Sequence, residues 1–242
     1  MPPWQPRLRR AATMTRGKAA AMALTVTVLA GRHAEPATWN DVVESYEHVR
    51  DYTAAYEKEE RAISNGDRQT IRLWFRKPLD VRLEWLNDKG QIDQTAVYRA
   101  GHNDGKVMAR RSGLLGGLAG TVALDPHDRL ALQDSRHPIT EVGLGHIIER
   151  VSDGIRRGQL TAAPVRELLL DARPANRFEF EALSGRGVLG MEDARRAVVW
   201  IDRELKLPIK VEVLGANDTL LERHRFKNLR VNVGLTDKTF AL

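Results

Sequence analysis

The chain has 242 residues, 42% of them hydrophobic and 29% charged, and no cysteine. That length is enough for one large domain or two small ones around a hydrophobic core. The missing cysteine excludes disulfides, zinc–thiolate sites, a cysteine nucleophile and a lipidated N-terminal cysteine. The net charge of +6 invites a nucleic-acid reading, but its placement excludes one. Arg7, Arg9, Arg10, Arg16, Lys18 and Arg32 fall in the first 34 residues with no acidic neighbour, and removing those six leaves 32 basic residues against 32 acidic ones. A neutral remainder carries no basic footprint for phosphate.

The same N-terminal stretch reads as an export signal. A basic segment, 7–18, precedes the apolar run AAAMALTVTVLA at 19–30. Twelve residues are too few for a membrane-spanning helix, which needs about 20. They match the roughly 7–15 residues of a signal-peptide core. Residues 1–30 are therefore read as a signal peptide cleaved after Ala30, with Ala34 the second choice. Arg9-Arg10 lacks the hydrophobic continuation of a twin-arginine signal. A short extension, 31–37, leads into a single domain at 38–242, expected in the periplasm.

The first element of that domain is a helix over 38–50. Thr38 is an N-cap with Asp41 at N3, and Trp39, Val42, Val43, Tyr46 and Val49 fall on one face. The period then changes to two. A polar, strand-like run at 52–63 ends in the turn Ser64-Asn65-Gly66-Asp67. Residues 69–77 place Ile71, Leu73 and Phe75 on one face; residues 80–86 do the same with Val81, Leu83 and Trp85. Turns at 87–90 and 101–105 separate further strands at 95–100 and 106–110, which makes an antiparallel meander. The run GLLGGLAG at 113–120 is read as a loop, with a flap over a cavity as the alternative. Residues 140–157 form a second helix with the stripe Leu144, Ile147, Ile148, Val151 and Ile155, stopped by Gly158. Strands resume at 165–171, 177–182, 195–202, 209–214 and 220–231. The total is about eleven strands and two helices.

No local motif carries chemistry. The seven histidines include no i, i+4 pair and no HExxH, and there is no Gly-x-Ser-x-Gly elbow. Glu57, Glu59 and Glu60 could serve as acid/base carboxylates. On a strand Glu57 and Glu59 share one face and Glu60 points the other way, and their interleaving with Lys58 and Arg61 predicts solvated cross-strand charge pairs instead. Asp125-Pro126-His127-Asp128 predicts a turn, and His102, His127 and His137 are expected solvated in turns. What remains is apolar sheet surface, which must be covered by the helices or by a guest. The pattern leaves both open.

Val199-Trp200-Ile201-Asp202, Leu207-Pro208-Ile209-Lys210-Val211-Glu212, the turn at 215–218 and Phe226-Lys227-Asn228-Leu229 together resemble the C-terminal meander of the outer-membrane lipoprotein carrier (LolA-like) superfamily. Tyr52-Thr53, Lys58-Glu59-Glu60-Arg61, Arg76-Lys77-Pro78, Leu83-x-Trp85-Leu86, Asp125-Pro126 and the run PITEVG at 138–143 resemble an uncharacterised group of exported bacterial proteins near those carriers. The likeness covers residues 38–242. It implies an α+β fold, an unclosed antiparallel barrel of about eleven strands with helices on its concave face. It further implies a non-enzymatic envelope protein that binds a lipid, an acyl chain or a lipoprotein without a cofactor. No arginine here matches the carriers' lid-locking arginine, so no lipoprotein-transfer role follows. Leu73, Phe75, Leu83, Trp85 and Trp200 are the expected cavity-facing, ligand-binding residues. No catalytic or metal-ligating residue is expected, nor a nucleic-acid partner. The protein is expected to be a monomer. The rival readings are a sensor or assembly module binding an envelope protein, and a hydrolase, which would need Asp125, His127 and Glu141 to meet in a cleft.

Overall fold

The computed structural model describes residues 37–61, 67–111, 120–133, 135–183 and 187–242. The expected signal peptide, the extension as far as Pro36, the Asn65-Gly66 turn and the glycine-rich run 113–119 lie outside the described residues. Two α-helices and twelve strands are described. They are α1 (Trp39–Glu47), β1 (Asp51–Glu60), β2 (Gln69–Arg76), β3 (Asp80–Leu86), β4 (Ile92–Arg99), β5 (Val107–Arg111), β6 (Val122–Leu124), α2 (Leu144–Arg156), β7 (Leu160–Ala162), β8 (Arg166–Leu170), β9 (Arg173–Ala182), β10 (Arg196–Asp202), β11 (Pro208–Leu214) and β12 (Leu220–Val231). Among the described residues no helix is long and apolar enough to cross a membrane.

The strands form one antiparallel sheet in the order β6-β5-β4-β3-β2-β1-β12-β11-β10-β9-β7, with β8 also on β9. Two meanders are thus joined where the first strand pairs with the last, Tyr56 opposite Phe226 and Lys58 opposite His224. β6 and β7, the two ends, do not pair with each other, so the barrel is unclosed. β6 and β7 are the strands the periodicity missed; three residues are too few to show an alternation.

Alternation assigns the faces. Tyr56, Ile71 and Trp85 are successive cross-strand neighbours on the inner face, as are Ala54, Leu73 and Leu83. Phe180, Ala197 and Val213 continue that face in the second meander. The outer face carries charge ladders: Lys227 to Glu57 at 2.6 Å, and Arg223 to Glu59 at 2.7 Å and to Glu212 at 2.9 Å.

Both helices lie on the inner face of the second meander. The predicted capping box forms, with the Thr38 hydroxyl accepting from the Asp41 N–H and the Asp41 carboxylate accepting from the Thr38 N–H. Trp39 stands edge-on to Phe178 and Phe180, at 5.6 and 5.1 Å, and its indole N–H donates to Ser152 on α2. Val42, Ile148, Val151, Val199 and Val211 complete a dry core. Each such side chain contributes about 1.5–3 kcal/mol by leaving water. Ile155 departs from the predicted stripe and is exposed; Gly154 packs inward instead, where any Cβ would strike Leu160.

The C-terminal tail closes the outer face of the first meander. The Asp51 carboxylate accepts from the N–H groups of Val233, Gly234 and Leu235. Asp237 pairs with Arg76 and Arg99, and Arg82 donates to the Ala241 carbonyl.

Candidate functional site

On the inner face, residues 130, 131, 133 and 135–143, the start of α2, and Leu189 and Met191 border a cavity of about 130 Å³ whose sheet wall comes from both meanders. Its walls divide by polarity. Ile71, Leu83, Trp85, Ala96, Val107 and Phe226 form an apolar side, while Lys58, Glu60, His137, Glu141, Glu222 and His224 form a charged end.

The predicted ligand-binding residues divide three ways. Leu83 and Trp85 line the cavity. Leu73 and Phe75 share that inner face but are covered by the chain's own groups. Phe75 stacks on Tyr52 at 4.9 Å, and the Tyr52 hydroxyl accepts from the Leu144 N–H at the start of α2. Gly143 makes this approach possible: its φ is +120°, and a Cβ there would lie 2.5 Å from the Tyr52 oxygen and 3.2 Å from Phe75. Trp200 is a correction. It pairs with Lys210 and Arg177, and it is Val199, not Trp200, that faces Val211. Trp200 therefore lies on the outer face, with the Lys210 ammonium 4.1 Å above its ring. Every residue from Ala197 to Asp202 is buried, so apolar character alone could not tell the two faces apart.

The charged end also corrects the sequence reading. Glu57 and Glu59 form the expected outer pairs, but Lys58 and Glu60 point inward and are buried, as is Glu222. Glu60 and Glu222 stand directly opposite across β1 and β12. Like charges in that relation repel, so they need compensation. Lys58 lies 3.4 Å from Glu60, the Arg136 N–H donates to Glu60 at 2.9 Å, and the Arg136 guanidinium is 3.6 Å from Glu222. His137 and His224 each place Nε2 3.1 Å from Glu222. Burial alone would raise Glu222, but those two histidines hold it far below the usual carboxylate range. His137 sits in a turn as predicted but is not simply solvated.

His224 uses its other nitrogen on the Tyr56 hydroxyl, at 2.7 Å. Burial, reinforced by Glu60 and Glu222, pushes the Tyr56 hydroxyl well above its ordinary value, so it stays a donor. His146 lies 3.4 Å from both Glu141 and Arg150. Burial brings its pKa down to about 4 despite the neighbouring carboxylate, which keeps it neutral at pH 7.

Glu60, Glu222 and His224 bring three potential ligand atoms within 4.8 Å of one another, a spacing that suits a metal ion. Lys58 and Arg136 already neutralise the two carboxylates, so a cation would have to displace them. Asp125 and His127 do not join Glu141. The Asp125 carboxylate caps its own turn by accepting from the His127 N–H, and neither residue lines the cavity.

These features define the class: an open antiparallel half-barrel whose inner face is filled by helices at one end and lidded over a cavity at the other. A family model described as "Protein of unknown function (DUF1571)" matches residues 49–242, and the chain belongs to that family. Curated proteins include no sequence match. Similar solved structures include MucB, at 20% identity over 84% of this chain and 61% of that one, with a TM-score of 0.49. The lipoprotein LppX of Mycobacterium tuberculosis is similar at 10% identity over 81% and 93%, with a TM-score of 0.47. A LolA superfamily protein of Nitrosomonas europaea is similar at 10% identity over 85% and 98%, with a TM-score of 0.32. The chain spans about three fifths of the MucB length. The strand order itself shows the unclosed antiparallel barrel.

Proposed function

We propose that the protein is an exported, non-enzymatic binding protein of the cell envelope, and that its half-barrel takes up an apolar chain such as a lipid or the acyl group of a lipoprotein. The observation that carries this reading is the cavity itself: an apolar wall on the sheet, covered by residues 135–143, the first turns of α2, and Leu189 and Met191. The basic stretch and twelve-residue apolar run at the N-terminus support export. The charged end holds acid–base groups, but each carboxylate is paired, and the serine beside them, Ser135, spends its hydroxyl on the His137 carbonyl. That arrangement supports binding over turnover.

At about 130 Å³ the cavity is smaller than the roughly 300–1,000 Å³ of sites that bury a drug-sized ligand. An acyl chain would need more room, which displacement of residues 135–143 would supply. Mass spectrometry of the protein purified from an envelope fraction should find co-purifying lipid, and a dansylated undecanoic acid should quench Trp85. A protein that carries no lipid and leaves the dansyl probe unbound would end this reading.

A second reading, docking of a protein partner by strand addition, is favoured by β6. This strand pairs only with β5 among the described strands and leaves Val122 53% exposed, with Leu130 nearby in sequence 61% exposed. Recovery of one stoichiometric envelope protein, lost in a Val122→Pro variant, would support it.

A further inference from the structure

The polar contacts at the cavity's charged end run as one chain from the sheet into the lid. Tyr56 contacts His224, and His224 contacts Glu222. Glu222 contacts His137 through both of its oxygens, at 3.1 Å, and His137 Nδ1 lies 3.3 Å from Glu141. Everything as far as Glu222 belongs to β1 and β12. Everything beyond it belongs to the lid. Glu222–His137 is the joint, supported by the Arg136 contacts to Glu60 and Glu222.

Both ring nitrogens of His137 face carboxylates, and an ionised carboxylate only accepts. The geometry is satisfied when the ring carries both protons. The charges then balance, with Lys58, Arg136 and His137 against Glu60, Glu141 and Glu222. The remaining charged or titratable neighbours are His224 on β12, His146 and Arg150 on α2, and Asp193, which holds the outer end of Arg136 at 3.1 Å. Removing one proton from His137 turns a lone pair toward a carboxylate and leaves the part-buried cluster, with Glu60 and Glu222 at its buried end, with a net negative charge, which is costly where water is scarce.

We propose that His137 is a proton-operated latch: its imidazolium holds residues 135–143 down on the half-barrel, and its deprotonation releases them. The use of this latch to admit or discharge a ligand rests on reading the cavity as a binding site; the latch itself does not. The direction of the pH effect follows from the surroundings. Burial alone would lower His137 below 6.5, but the hydrogen bond and charge of Glu222, with Glu60 and Glu141 behind it, raise it above that value. The latch is fully engaged below the ordinary value and is lost as pH rises through the raised one. The lid is tight in mild acid and loose in mild alkali.

Hydrogen exchange of the full chain, corrected for intrinsic rates, tests this. Between about pH 5.5 and 9, protection in peptides covering 135–144 should fall roughly tenfold or more while β10 and β11 keep theirs. His137→Gln should leave the lid weakly protected and indifferent to pH. A lid whose protection in the wild type is flat with pH, or whose slope survives in His137→Gln, would overturn the latch; the wild-type profile decides even if the variant fails to fold. A flat lid on a protein that still binds the dansyl probe removes the latch and leaves the binding reading. A pH-dependent lid on a protein that takes up no probe does the reverse.

Discussion

The two ends of the half-barrel bury the same kind of sheet surface in different ways. Over the second meander, α1 and α2 press Val42, Ile148 and Val151 against Phe178, Phe180 and Val199 in an apolar core. Over the far end of the first meander, a segment with one short 3-10 turn spans a cavity and is tied by Arg136 and His137 to buried carboxylates. A helix presents a continuous apolar stripe and can fill a curved sheet. An irregular segment cannot, so its hold on the sheet depends on a few polar contacts. The first end is held by apolar packing and the second by ion pairs and hydrogen bonds.

That contrast can be broken most severely in the dry core. Phe180→Ala should cost about 3–5 kcal/mol in urea unfolding while leaving dansyl-probe affinity of the folded fraction unchanged. A loss of affinity would show that the two ends are not separate. Glu222→Gln comes next, at about 3 kcal/mol, because it strands His137, His224 and the Arg136 guanidinium. The deficit should be largest between about pH 5 and 6.5, where Glu222 is ionised and His137 is protonated in both folded and unfolded chains, and should shrink as pH rises through the raised His137 value. A pH-independent deficit would mean that His137 contributes nothing.

Two tryptophan exchanges sharpen the comparison further. Trp85→Phe and Trp200→Phe should each cost about 0.5–3 kcal/mol, but only the first should weaken the probe, because of the two only Trp85 lines the cavity. Equal effects on affinity would contradict the face assignment. The smallest change is expected at the outer ladder, where Lys227→Ala removes a partly exposed pair with Glu57 worth at most about 1 kcal/mol.

Much of the fold was legible in the sequence. β2 and β3 alternate strictly, Thr38 and Asp41 announce α1, and Gly158, at φ +60°, ends α2 where expected. The open sheet with two helices followed from these elements and from the resemblance to LolA-like proteins. The charged end was not legible. Its contacts join residues 76 and 85 positions apart, so no local spacing betrays them. Alternation sets Glu60 on the face opposite Glu57 and Glu59, but the run is polar on both faces, so nothing in YEKEER tells which face turns inward. Trp200 failed for the opposite reason, since β10 is apolar on both faces. In each case the strand was recognised and its inward face was not, because that is fixed by partners that lie elsewhere in the chain.

The unpaired ends of the sheet have a mechanical consequence. In a closed barrel, strand number and stagger fix the radius. Here no ladder of hydrogen bonds runs from β6 to β7, so the girth is not fixed by the backbone. The β1–β12 pairing is the seam between the two meanders, and Glu60 and Glu222 meet on it. The groups that hold residues 135–143 to the sheet therefore sit where the two meanders join, away from the unpaired ends.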